Sequence, residues 1–531
     1  MDETGRASLK QEVDVAQAAG IIALGNVVSR ALGLLREMVK SGLFGAGPHV
    51  DALNAALRVP NTLYDLTVGG MVNSALIPIL SEYAAPERRT ELWHLLSVLL
   101  SIVTVFLCAL VLLGELLAPQ VVWLLVAGLS AQYRALTTDL LRIVLPAVVF
   151  LSLASILSGA LYALKRFTFP AFTAAIVNAG LVIVTLILGP HWGVHGMATG
   201  LLVGAVLQIA LQLPGLRDAR LRFALNLHHP ALRRIIRLYL PILVGLAVDT
   251  LAVLLSYNLA SRTGGGSISW MEYAATIIQF PLGLVVTAIS IAILPTLSQQ
   301  ASAEEIGPFQ TTLAQGLRLV LTLIIPATAG LYVLANPIVA LIFEHGPFTP
   351  ADTAATADAL RCALPGLLFA AMDQPLIFAF YARKDTLTPA LVGVGTTLLY
   401  VLMALTPWWL GVLTLPLLVL ANSLKLTVHA LAMLVLTQRR LGKLGSHGLW
   451  SLISKAFLAS LVMAAVTWGA MHVLAVMLPP GLVEELLVVG GAGSVGVIAY
   501  VILAQALKIK EIHLLRSAVD DGLNRLTGPI R

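Results

Sequence analysis

About fourteen apolar stretches run through the chain, each near the 20 residues an α-helix needs to cross a bilayer. They are centred near residues 28, 66, 104, 151, 179, 203, 249, 283, 326, 367, 398, 425, 463 and 495. In lipid every backbone N–H and C=O must be paired within the spanning structure, and stretches of this length satisfy that as α-helices. The expected fold is therefore all-α, a polytopic membrane protein. Only 11% of the residues are charged and 58% are hydrophobic, whereas about a quarter of a soluble domain is charged. The net charge of +6 could suit nucleic acid, but its sources lie in alternate connections. Arg88 and Arg89, Lys165 and Arg166, Arg217 to Arg237, Arg383 and Lys384, Arg439 to Lys443 and the segment from Lys508 all fall on one side. That is the pattern of cytoplasmic loops, so both termini are expected in the cytoplasm and no nucleic-acid partner is expected. The opening MDETGRASLKQE lacks the basic-then-apolar pattern of a signal peptide. Cys108 and Cys362 stand far apart in apolar runs and suggest neither a disulfide framework nor a metal site.

The run LRIVLPAVVFLSLASILSGALYALKRFTFPA from Leu141 recurs as LRCALPGLLFAAMDQPLIFAFYARKDTLTPA from Leu360, with Pro146 and Pro365 at the offset 365 − 146 = 219. Arg142 with Arg361, Tyr162 with Tyr381, Lys165 with Lys384 and Pro170 with Pro389 keep that offset. A second echo, IPILSEYAA from Ile77 and LPTLSQQAS from Leu294, has the offset 295 − 78 = 217. Chance likeness between apolar helices would match Leu and Ala, not these residues. The expected organisation is an N-terminal tail at 1–12, a six-helix lobe at 13–217, a basic linker at 218–229 and a second six-helix lobe at 230–437. Two extra helices at 438–508 and a tail at 509–531 complete it. Repeats separated by an even number of spans share one orientation, which implies a pseudo-two-fold axis along the membrane normal and an alternating-access transporter.

Charges interrupt this pattern most between Gly25 and Asp65, where Arg30, Arg36, Glu37, Lys40, Asp51, Arg58 and Asp65 sit in helical stretches. A charge at mid-bilayer costs roughly 2.5–3.5 kcal/mol on insertion scales, so it is kept where it faces a wet cavity or a partner. At about 100° per residue, Asn26, Ser29, Arg30, Gly33, Arg36, Glu37 and Lys40 fall on one third of the first helix. Asp51, Asn54, Arg58, Asn61 and Asp65 align on the second, where Pro60 is expected to break or bend the helix. Two striped helices joined by the turn Gly45–Pro48 imply one shared polar cavity. Clustered cations need an anion, and a phosphate suits Arg. The expected substrate-binding residues are Arg30, Arg36, Lys40, Asp51, Arg58 and Asn61, against the plainer reading of an internal ion-pair network.

No Walker A, HExxH, nucleophile elbow or Cys-x-x-Cys is present, so a transporter and not an enzyme is expected, with no cofactor. Energy would then come from a coupling cation (sodium or proton), the membrane potential or the substrate gradient. Asp249 and Glu272 are the first candidates for ion coupling; Asp249 lies amid LVGLAVDTLAVLL, which offers no other charged residue within a turn, and a charge is costly in a span. Arg142, Arg361, Asp373 and Lys425 are further polar residues in apolar runs; for the two arginines the repeat equally suits helix-end anchors. The arginines of the linker, Arg217 to Arg237, serve topology and attraction to anionic lipid.

The stretches SRALGLLRE from Ser29, FGAGPHVDAL from Phe44, RVPNTL from Arg58, ALIPILSEY from Ala75, and SISWMEYA with FPLGLVVTAISIAILPTLS resemble the MurJ/MviN family of lipid II flippases. That family lies within an exporter superfamily (MOP) that includes MATE drug antiporters. The resemblance covers essentially the whole chain. It implies export of an undecaprenyl-pyrophosphate-linked peptidoglycan precursor across the bacterial inner membrane by a monomer, with cavity arginines meeting the pyrophosphate and the two extra helices helping to form a groove for the lipid tail. Arg30, Arg36 and Asp51 match the family pattern. The basic pair usual after the Pro-Asn of the second helix is here Tyr64 and Asp65, the acidic residue before the next Gly is Gly69, and the usual Asp-Arg of the eighth span is Ala275 and Thr276. An ion-coupled MATE-like exporter of small amphipathic molecules, a flippase of another polyprenyl-linked glycan and a non-transporting membrane scaffold are the rival readings.

Overall fold

Every regular element is helical among the residues described in this computed structural model, 3–442, 448–479 and 481–512. Most of the expected C-terminal tail, 513–531, lies outside them, as does Lys443. Among the described residues, twelve helical stretches are long and apolar enough to cross a membrane, from Pro86–Leu116 to Val483–Ala506. The two further spans expected near residues 28 and 66 are helices too, but their polar stripes dilute the apolar runs, and neither is among the twelve. The first helix starts at Glu3, so the segment expected as an N-terminal tail is largely helical.

The chain divides into two compact units. The first comprises residues 1–269 with 345–348. Its helices are α1 (Glu3–Phe44), α2 (Pro48–Tyr64), α3 (Ile77–Glu82), α4 (Arg89–Leu116), α5 (Ala118–Val126), α6 (Ala131–Val144), α7 (Ala147–Ala163), α8 (Thr168–Ala171), α9 (Thr173–Trp192), α10 (Val194–Gln212) and α11 (Pro230–Ala260). Glycine spacing explains the closeness of α9 and α10. Gly196, Gly200 and Gly204 recur every four residues along one face of α10, the small-residue pattern that lets membrane helices approach. A Cβ on Gly196 would stand 2.8 Å from Gly189 N, and one on Gly204 would stand 2.8 Å from the Val177 carbonyl. Leu76, Leu80, Leu92, Leu96, Ile156 and Ile235 form a buried core where α3, α4, α7 and α11 meet. The linker from Arg217 to His229 is not helical; Arg222 and Ala224 donate their backbone N–H groups to Ser97 and Ser101 Oγ of α4, each at 3.0 Å. Its arginines are exposed, and Arg234 on α11 pairs with Glu82 at 2.8 Å.

The second unit comprises residues 270–344 and 349–531. It contains most of α12 (Ser267–Pro281), then α13 (Thr287–Ser302), α14 (Ile306–Val333), α15 (Ala335–Phe343), α16 (Pro350–Ala382), α17 (Leu387–Trp409), α18 (Leu415–Leu441), α19 (Leu449–Met477), α20 (Leu482–Leu487) and α21 (Gly493–Ala506). Leu313, Leu317, Leu376, Met433, Ala456 and Tyr500 share one core, so the helices that follow the repeat, α19 and α21, are built into this unit. Thr349 and Asp352 form a reciprocal capping box at the start of α16.

Local geometry repeats with the sequence. Lys165 and Lys384, matched by the main repeat offset, both adopt φ 59°, a left-handed conformation that favours glycine. Each closes a Schellman turn: Lys165 N–H donates to the Tyr162 carbonyl (3.0 Å) and Arg166 N–H to Leu161 (2.8 Å), while Lys384 N–H donates to Tyr381 (2.9 Å) and Asp385 N–H to Phe380 (3.0 Å). The second helix of each repeat also loosens at matching places. α2 runs on through Pro60 and widens into a π turn at Asp65–Gly69; α12 widens at Leu282–Val286, an offset of 282 − 65 = 217. The break expected at Pro60 thus lies five residues later.

Candidate functional site

In the first unit the striped faces of α1 and α2 are joined by one continuous run of polar contacts. Arg36 donates from Nη1 to Asn178 Oδ1 on α9 (3.0 Å) and from Nε to Glu37 Oε1 (3.0 Å). Glu37 also pairs with Lys40, whose Nζ donates to Asn54 Oδ1 on α2 at 2.9 Å. Asn54 Nδ2 donates to Ser269 Oγ (3.3 Å), and Ser269 Oγ donates to Asp51 Oδ1 (2.7 Å). The backbone N–H groups of Ser269 (2.8 Å) and Gly266 (2.7 Å) complete the shell of Asp51. Asn178 Nδ2 reaches back to the Ser29 carbonyl at 3.2 Å, fixing α1 against α9.

The turn between the two helices is held by backbone geometry. Gly45, at φ 73°, donates to the Ser41 carbonyl at 2.7 Å, and Pro48 takes the first helical position, where its missing N–H costs nothing. A Cβ at Gly45 would stand 2.8 Å from the Pro347 carbonyl, so the 345–348 segment seats directly on this turn.

Burial separates the six expected substrate-binding residues. Asp51 is 0% exposed and Lys40 2%, and their polar atoms are engaged inside the protein. Arg36 has a side chain 34% exposed; Arg30 and Arg58 are half-buried and Asn61 is exposed. Arg58 interacts electrostatically with Asp65, and its buried Nε has no hydrogen-bond partner among the described residues. Within this run the cations Arg36 and Lys40 are matched by the carboxylates Glu37 and Asp51, so what distinguishes Arg36 is its exposure rather than an excess of charge. Glu37, Asn54, Asn178 and Ser269 complete the network although the sequence does not mark them as site residues. Glu37 and Asn54 lie in the stripes; Asn178 and Ser269 are far away in sequence and carry no local signal.

The positions that depart from the expected charges have local partners. Tyr64 OH lies 2.9 Å from Ser155 Oγ, and Thr276 Oγ1 donates to the Glu272 carbonyl at 3.0 Å. Tyr239 of α11 donates to the Leu66 and Asp65 carbonyls (2.9 and 3.2 Å) at the π turn. Asp249 is exposed on α11, Glu272 is half-buried on α12, and Lys425 is half-buried on α18. Arg142 stands 3.9 Å from Glu115, and Arg361 donates to Asp358 (3.1 Å) and Asn336 (2.8 Å). Among the described residues no cluster could hold a metal ion.

The family described as "Lipid II flippase MurJ" matches residues 40–488. The chain belongs to the MurJ lipid II flippase family. The lipid II flippase MurJ of Burkholderia cenocepacia is 31% identical over 379 residues, 70% of this chain and 73% of that protein. A Vibrio cholerae relative of the same family is 29% identical over 513 residues, covering 93% of this chain and 96% of its own. The fold resembles that of a lipid II flippase MurJ solved in an inward closed conformation, with a TM-score of 0.77 at 24% identity over 91% of this chain and 98% of that one. A multidrug resistance MATE family transporter of the MOP superfamily follows at 0.65 and 14% identity, covering 79% and 96%. The chain thus shares its fold with both of these proteins.

Proposed function

We infer that this multi-pass membrane protein is a flippase carrying lipid II, an undecaprenyl-pyrophosphate-linked precursor, from the inner to the outer leaflet of the bacterial inner membrane by alternating access. It is a transporter and not an enzyme. The observation that carries the assignment of the site is the supported guanidinium of α1: Arg36 stays accessible while Asn178 and Glu37 hold it in place. A guanidinium fixed in this way meets a phosphate without first losing its rotamer freedom. In this reading Arg30, Arg36, Arg58 and Asn61 touch the pyrophosphate region. Lys40 and Asp51 act from behind, Lys40 by steadying Glu37 and Asp51 by fixing the 266–269 backbone. Both termini lie in the cytoplasm, and the inside-negative potential favours outward passage of an anionic headgroup by about 2.3 kcal/mol per charge per 100 mV.

The test is the exposure of labelled lipid II at the outer leaflet of cells depleted of their own flippase and supplied with this protein. Exposure should appear with the natural sequence and vanish with Arg30→Ala or Arg36→Ala at equal membrane abundance. Unchanged exposure in both variants would remove this assignment of the site.

A further inference from the structure

The second unit holds a buried ionisable pair that the substrate reading does not use. Asp373 on α16 and His429 on α18 meet with Oδ2 and Nδ1 2.7 Å apart, their side chains 11% and 12% exposed. Asp373 Oδ1 is buried and has no hydrogen-bond partner among the described residues. His429 lies more than three turns before the end of α18 at Leu441, about 18 Å at 1.5 Å per residue, well inside the span. An ionisable group so placed is costly unless it is paired or used.

We propose that Asp373 and His429 together bind the coupling proton of the transporter. With one proton the pair is neutral overall, whether the proton sits on the imidazole or on the carboxyl. Loss of it leaves one negative charge and a second proton gives one positive charge, so the two groups hold and release protons as a unit. The repeat argues that the fold does not require such a pair. The counterpart of Asp373 is 373 − 219 = 154, an alanine whose carbonyl receives the neutral amide of Gln212 at 3.0 Å in the first unit. The next residue, Gln374, contacts Thr287 (3.3 Å), and Thr287 donates to the Leu282 carbonyl (3.1 Å) of the π turn. Charge on the pair is therefore two contacts away from the irregular segment of α12 and α13.

Other ionisable groups are few around it. α13 and α15 bring none, α17 brings Tyr400 and α14 brings Arg318 and Tyr332. α16 itself carries Asp352, Asp358, Arg361, Cys362 and Tyr381, and α18 carries Lys425, Arg439 and Arg440. Of these, Tyr381 interacts electrostatically with Asp373. α17 turns Gly393 toward the ring, where a Cβ would stand 3.8 Å from His429 Nε2, so the outer nitrogen is not covered by a side chain from that position.

The proposal rests on the transporter reading, and its test separates the two. The full chain, labelled with 15N-histidine and assigned with His429→Gln, is titrated by NMR; lipid II flipping is then followed in proteoliposomes with and without an imposed pH gradient. The His429 signal should change with pH over the same range in which flipping changes, and Asp373→Asn should displace that change by removing the adjacent carboxylate. Flipping should vary with pH by up to about tenfold per unit, the limit for one proton, and this dependence should disappear in Asp373→Asn and His429→Gln. A His429 signal that does not titrate, or a pH dependence that survives both variants, overturns the proposal and leaves the flippase reading intact. Titration coupled to Asp373 in a protein that flips no lipid II supports the proton site and overturns the substrate.

Discussion

Arg166 and Asp385 occupy the same position of the two repeats and close the same kind of clasp with the charges exchanged. Arg166 donates to Asp218 (2.6 and 3.1 Å) and to the Gly215 carbonyl, tying the α7 end to the segment after α10. Asp385 receives Arg440, tying the α16 end to α18. Reversal of Arg166 to Asp should lower stability slightly, by about 0.5–1 kcal/mol as expected for a partly exposed pair. The double exchange Arg166→Asp with Asp218→Arg should restore it, because the second repeat already carries that polarity. Thermal unfolding of the two singles and the double checks this.

The Asp385 clasp has a defined pH window. Hydrogen bonds from Thr388 and Arg440, with the Arg440 charge, hold the carboxyl down at about 2, below its ordinary 3.8. A depressed folded value means that the stabilisation is complete above the ordinary value and is lost as pH falls toward 2. The melting difference between the natural protein and Asp385→Asn should be constant from neutral pH to about pH 5 and shrink only below it. A difference that changes around neutrality would show that another group carries the effect.

Left-handed lysines set a further prediction. A non-glycine residue in that region costs about 1–2 kcal/mol, partly offset in a glycine variant by the freer unfolded chain. Lys165→Gly and Lys384→Gly should each raise stability by about 0.5–1 kcal/mol, and the β-branched Lys384→Val should lower it. Unfolding in denaturing detergent mixtures measures both signs.

The cluster on α1 should respond according to burial. Glu37→Ala leaves Lys40 buried beside Asn54 without its carboxylate, and a broken buried pair costs about 3–5 kcal/mol; folded protein should fall sharply. Arg30→Ala should leave abundance near normal while transport fails. Detergent-extracted folded yield, measured beside lipid II exposure, distinguishes the support of the site from its contact surface.

Close packing of α9 against α10 gives a control far from charge. Gly204→Ala drives its Cβ at the Val177 carbonyl and Cα, 2.8 and 3.2 Å away, and should cost about 1–3 kcal/mol by overpacking. Gly193→Ala lies where nothing stands within 4 Å; its penalty should come from its left-handed backbone instead. Comparing the two by thermal unfolding separates contact from conformation.

The sequence displays the helices, the family and the faces on which charges lie, because apolar length and helical period are local properties. It cannot show which charges on one face meet solvent and which meet another helix. Asp51 and Arg58 share a stripe, yet Asp51 is closed off by Gly266 and Ser269, far downstream in the chain. Asp373 is visible as an acid in an apolar run, whereas His429 reads as an ordinary histidine until the fold brings the two together. The glycine ladder of α10 is in plain sight but has meaning only opposite α9. The π turns have no composition that announces them.

Those π turns bear on how relatives of different length are to be aligned. A π turn is an α-helix with one residue more than its hydrogen bonds need, so deletion of a single residue within 65–69 or 282–286 can be absorbed by reverting to an α turn. The chain beyond would be rotated by about 100° per residue if it were not absorbed. Length variation by one residue should therefore be tolerated in these windows and in the neighbouring π turn at Val72–Leu76, and rejected in the regular α turns beyond them.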